Sequence, residues 1–72
     1  MERLTKDDIL NIKAGTMRSF GLKDNAACNA ARTNVQYVKR THQEEMRKRG
    51  VANYITQVNW SQSIITIQAI SI

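Results

Sequence analysis

Residues 34–55, NVQYVKRTHQEEMRKRGVANYI, open as a basic helix and close as an uncharged, alternating segment, with Gly50 at the change. On a helical wheel at ~100° per residue, Val35, Val38, His42 and Met46 share one side, which is the expected core face. Gln36, Arg40, Gln43 and Arg47 make a separate stripe, with Lys39 at its border. Glu44 and Glu45 fall away from that stripe. Gly50 suits a helix end, and Arg47, Lys48 and Arg49 suit the negative end of the helix dipole. Beyond it, Ala52, Tyr54, Thr56, Val58 and Trp60 alternate with Asn53, Ile55, Gln57 and Asn59. Residues 61–63, SQS, read as a turn, and IITIQAISI is rich in β-branched residues, so the C-terminal third reads as a β-hairpin.

Towards the N-terminus, Thr5 reads as a helix cap: TKDD places Asp8 three residues on, close to a capping box, with Asp7 and Asp8 in the first turn. Ile9, Leu10, Ile12, Met17 and Phe20 then have helical apolar spacing. Gly15 is a weak point where this helix can break in two, and Gly21 is its stop. Asp24 or Asn25 caps a second helix, NAACNAAR, whose Ala26, Ala27, Ala30 and Ala31 allow a neighbour to approach closely. RTN (32–34) reads as a turn with Thr33 or Asn34 capping a third helix; the competing reading joins residues 25–49 into one helix. The expected fold is α+β: a three-helix helix-turn-helix core followed by a C-terminal β-hairpin. It occupies one domain, 1–72, with helices at about 6–20, 24–32 and 34–49 and strands at about 52–59 and 63–71.

Size and composition narrow the chemistry. A 72-residue chain buries only about 60% of the surface its unfolded form exposes. Cys28 is the only cysteine, so no internal disulfide forms, and one Cys with one His cannot supply four metal ligands. Cys28, among alanines, reads as a packing residue, and His42 as a core or boundary side chain. Asp7 and Asp8 are adjacent and diverge on a helix. There is no glycine-rich phosphate loop and no Cys–His–Asp arrangement, so neither an enzyme nor a cofactor is expected. Tyr54 and Trp60 are expected to anchor the hairpin to the helices and not to stack on bases. No apolar run approaches the ~18 residues of a membrane span. MERLTKDD lacks a secretory pattern, so a cytoplasmic location is expected.

The net charge of +5 points to a polyanion or an acidic protein surface. Arg and Gln pair bidentately with guanine and adenine edges in a major groove, and Lys39 suits a phosphate. The plainer alternative is a solvated helix face. The run EEMRKRGVANYI, after three helices and before a hairpin, resembles the winged helix-turn-helix regulators, whose recognition helix ends in a Leu–Glu–Lys–Arg–Gly–Leu-like run. In that likeness Met46 stands for the packing leucine, Gly50 for the helix-ending glycine and Val38 for the buried valine. Gln36, Arg40 and Gln43 then face the groove, and Val51–Ile72 forms the wing. The chain departs from the pattern in three places. Val38 to Met46 is one residue longer than the pattern, the turn before the third helix lacks a glycine, and the tip WSQS carries no cation.

The resemblance implies a small DNA-binding transcriptional regulator of the phage or mobile-element kind. It would contact double-stranded DNA through Asn34, Gln36, Lys39, Arg40, Gln43 and Arg47. A second register, TMRSFGLKDNAACNAAR (16–32), would instead present Lys23, Asn25, Asn29 and Arg32. The alternative function is an antirepressor or inhibitor, whose basic helix meets an acidic surface such as that of a repressor. The last strand has neither charge nor proline, the usual protection of an exposed sheet edge. It is therefore expected to be covered, either by its own helices or, as the favoured reading, by another chain: a homodimer through the C-terminal strand or a second regulatory protein.

Overall fold

Phe20 is buried, but it does not lie on the first helix. The computed structural model describes residues 3–72. In chain order these form α1 (Lys6–Leu10), β1 (Met17–Gly21), α2 (Asn25–Thr41), α3 (Gln43–Lys48), β2 (Val51–Asn59) and β3 (Ile64–Ser71). The capping box forms: the Asp8 amide donates to Thr5 Oγ1 at 3.2 Å, and the Thr5 amide donates to Asp8 Oδ2 at 2.9 Å. It starts a helix of only five residues. Gly15 takes a positive φ of 84°, which suits a residue without a Cβ, and there the chain turns into a strand. The Gly15 amide donates to the Ala69 carbonyl at 2.8 Å, and the Ala69 amide donates to the Thr16 carbonyl at 2.9 Å.

This strand corrects the expected architecture. The sheet is three-stranded and antiparallel in the order β1-β3-β2. Strands and helices are therefore interleaved, and the molecule is not a three-helix core followed by a hairpin. The hairpin itself lies close to its expected limits, but β3 is not an edge. Ile64–Gln68 pairs with β1 on one side, while Ile64–Ser71 pairs with β2 on the other. The absence of charge along β3 follows from this central position. Ile65, Ile67 and Ala69 are fully buried under the helices, each burial of an isoleucine contributing about 1.5–3 kcal/mol. Over Ile64–Gln68 both edges of this strand are paired within the chain, so along that stretch neither edge is open to a second copy.

The middle of the chain also differs. Asp24 caps α2, accepting from the Ala27 amide at 2.8 Å, and the helix then runs through 32–34 without a turn. Thr33 Oγ1 donates back to the Asn29 carbonyl at 3.2 Å, within the helix. Asn34 Nδ2 donates to the Leu4 carbonyl at 2.9 Å and ties the N-terminal segment to α2. Cys28, Ala31, Val35 and Val38 are buried on one helical face. The break falls at His42, where φ is −120° and ψ is 35°, so neither the break at 32–34 nor a single helix over 25–49 is what forms. Met46 of α3 is buried, and Gly50, with φ of 75°, turns the chain into β2. No helix among the described residues is long and apolar enough to cross a membrane.

Candidate nucleic-acid interface

The α2 sequence NAACNAARTNVQYVKRT contains no acidic residue. Among the described residues, its cations Arg32, Lys39 and Arg40, with Arg47 on α3, form no ion pair. The single salt bridge among the described residues joins Arg49 Nε to Glu45 Oε1 at 2.9 Å. Arg49 is occupied further, since its Nη1 donates to the Leu10 carbonyl at 2.9 Å and to Asn11 Oδ1 at 3.2 Å. That side chain fastens α3 to the end of α1. The hydrogen bond from Arg49 holds the Glu45 carboxyl below its ordinary pKa, with the nearby positive charges adding to the effect.

Three of these cations, Arg32, Lys39 and Arg47, border β2. Asn29, Arg32, Thr33 and Gln36 of α2 face Thr56 across one shallow groove. Lys39, Gln43, Met46 and Arg47 face Val51, Ala52 and Asn53 across a second. Among the described residues, the outer edge of β2 makes no backbone hydrogen bond. Its amides and carbonyls therefore stand open beside guanidinium, ammonium and carboxamide groups. The second groove measures about 390 Å³, within the range of small-ligand pockets, which are predominantly apolar. Its wall of Lys39, Gln43, Arg47 and Asn53 suits a charged, extended ligand better.

The expected site residues divide. Gln36, Lys39, Gln43 and Arg47 line these grooves, and Arg40 is exposed on the same helix. Asn34 does not belong with them, because its amide is half-buried in the Leu4 tether. Of the second register, Asn29 and Arg32 join the first groove, whereas Asn25 Oδ1 accepts from Ser63 Oγ at 2.8 Å and holds the hairpin tip. The two aromatics of the hairpin separate. Tyr54 is 1% exposed and in the core, while Trp60 is 45% exposed, with the Arg32 guanidinium 5.9 Å from its ring centroid. The alternation that carries Tyr54 inward stops at Asn59, the last residue of β2. Trp60 therefore lies in the turn, where strand parity no longer holds.

The face of the sheet away from the helices is different in kind. Cross-strand partners share a face. The rows there are Met17–Gln68–Ile55, Ser19–Thr66–Gln57 and Gly21–Ile64–Asn59, with Ile70 beside Asn53. Ser19 Oγ and Thr66 Oγ1 are hydrogen-bonded at 2.7 Å. None of these residues is charged. No metal-binding cluster of His, Cys, Asp or Glu occurs among the described residues. No protein-family model, curated protein or solved structure matches the chain.

Proposed function

We propose that this chain is a DNA-binding regulator that grips the sugar–phosphate backbone with the α2–α3 flank beside β2. The observation that carries this reading is the acid-free helix whose Arg32, Lys39 and Arg40 form no ion pair among the described residues, continued by Arg47 and interleaved with Asn29, Gln36 and Gln43. Cations without protein partners are free to displace condensed counterions from a polyanion. Carboxamides among them supply paired donor and acceptor groups for base edges. Arg40, Gln36 and Gln43 are the residues that would read sequence in duplex DNA, and Lys39 and Arg47 those that would hold phosphates.

The test is fluorescence anisotropy with labelled duplex DNA over a range of salt. Affinity should fall steeply as salt rises, and the Lys39→Ala/Arg47→Ala double variant should bind more weakly with a shallower salt dependence. No binding at low salt, or an unaltered slope in the double variant, would sink the reading.

A second reading, an inhibitor of another regulatory protein, is favoured by a different surface. The uncharged sheet face exposes Met17 by 62% and Ile55 by 50%, apolar groups in the middle of a polar but neutral surface. Co-purification with a candidate partner, abolished by Ile55→Lys, would support it.

A further inference from the structure

At the hairpin tip, Trp60 lies in a depression with Gln57, Val58, Asn59, Ser61 and Thr66. Arg32 of α2 lies over its ring. The tip is held in place: Ser63 Oγ donates to Asn25 Oδ1 at 2.8 Å, and the Leu22 amide donates to the Ser63 carbonyl at 2.9 Å. Asn59 Oδ1 accepts from Ser61 Oγ at 2.7 Å. Among the described residues, that leaves its Nδ2 group, and both polar ends of Gln57, without a protein partner. The arrangement is an indole surface with carboxamides at its margin and a guanidinium where the first basic groove begins.

We propose that this tip is a stacking site for an unpaired nucleobase, on a DNA or RNA strand whose backbone continues along the α2–α3 flank. This rests on the nucleic-acid reading of that flank. Three features select a nucleobase. A base is planar and stacks on indole without regard to sequence. Its polar edge needs both donors and acceptors, which Gln57 and Asn59 supply. The phosphate attached to it needs a cation nearby, and Arg32 is not paired with any carboxylate among the described residues. A base still paired in a duplex has its faces covered by its neighbours, so the site discriminates unpaired from paired strands.

Trp60 is the only tryptophan, so its fluorescence in the intact chain reports the site directly. Four probes separate the contributions: oligothymidylate, oligouridylate, a mixed-sequence DNA duplex and inorganic polyphosphate. The two single strands should quench Trp60 strongly, and the better of them identifies the sugar the flank prefers. Trp60→Ala should weaken single-strand binding about tenfold, Trp60→Phe should recover most of that loss, and binding of duplex and polyphosphate should change by less than about twofold. Single strands that bind without quenching and are indifferent to Trp60→Ala would overturn the site. An equal loss for all four probes would do the same. If Lys39→Ala/Arg47→Ala still weakens duplex and polyphosphate binding in that case, the flank reading survives the failure of the tip. Should none of the four probes bind, both readings fail together.

Discussion

Arg47 and Arg49 sit two positions apart with the same chemistry and opposite duties. Arg47 lines the groove beside β2 without a carboxylate partner, whereas Arg49 divides its guanidinium among Glu45, the Leu10 carbonyl and Asn11. Arg47→Ala should therefore lower the DNA salt slope by about one and leave the unfolding midpoint nearly unchanged. Arg49→Ala should remove a charged hydrogen bond to a carbonyl at a side chain that is 41% exposed. That should lower stability by about 1 kcal/mol while binding by the folded protein persists. Titrations and thermal melts of both variants would reverse this assignment if the effects were exchanged. Tyr54 offers a second residue-level test. Its hydroxyl is buried without a hydrogen-bond partner, and burial raises its pKa above the ordinary tyrosine value, the charge of Arg49 opposing in part. A folded pKa above the unfolded one gives a contribution that is complete below about pH 10 and is lost as pH rises from there through the folded value. Tyr54→Phe should keep or raise neutral-pH stability by up to about 1 kcal/mol, because no bond is lost, and should shift alkaline unfolding to higher pH. A clear loss of stability at pH 7 would show that the hydroxyl is satisfied after all.

Among the elements, the ones that local rules specify were legible, and the one that depends on a distant partner was not. Thr5 with Asp8, Asp24, Gly50 and the alternation from Tyr54 to Val58 each act over a few residues and do what the sequence indicates. A register shift between Val51 and Asn53, by contrast, buries Val51 and leaves Ala52, expected beside Tyr54, exposed. β1 has one buried position in five, Phe20, so it carries no alternating pattern. Met17 and Phe20 are also three apart, which is helical spacing. Only pairing with β3, between residues some 47 positions apart in the case of Ser19 and Thr66, makes residues 17–21 a strand. Local propensity carries no trace of that. The expected stripe assumed one helix over 34–49, but α2 ends at Thr41, so Gln43 and Arg47 lie on α3, and Lys39, not Arg40, lines the groove with them. Asn34 was misplaced by a cap that does not form and Trp60 by strand parity carried one residue too far. β3 is the element on which the sheet depends. Deleting residues 63–72 should remove the partner of both β1 and β2 together with Ile65, Ile67 and Ala69. The truncated chain should then lose its cooperative thermal transition, which circular dichroism would register. A truncated chain that melts cooperatively would mean that helices α1–α3 hold together without the sheet.

At the scale of the whole molecule, one face of the sheet is free of charge. The net charge of +5 is carried by the helices, the loops and the helix-side position Arg18, while the open sheet face has no charged residue. An unscreened positive flank attracts polyanions over roughly a Debye length, about 8–10 Å at moderate salt. A neutral face shields nothing and repels nothing, so its Met17–Ile55 end is free to meet a second surface while the flank and the hairpin tip are occupied. Ile55→Lys tests whether the two sides act separately. Ile55 is half exposed between Gln68 and Gln57, and its neighbours on that face tolerate water. The added ammonium should reach solvent, and stability should change by less than about 0.5 kcal/mol, as for other surface substitutions. The sheet stands between it and the helices, so DNA affinity should shift by less than about twofold at physiological salt, where distant exposed charges are screened. Under the inhibitor reading the same substitution would place a charge in a desolvated contact and abolish the protein complex. Measuring thermal stability, DNA affinity and partner binding on this one variant separates the readings. A steep loss of DNA affinity with the fold intact would show that nucleic acid lies across the sheet face, and that the α2–α3 flank is a solvated surface.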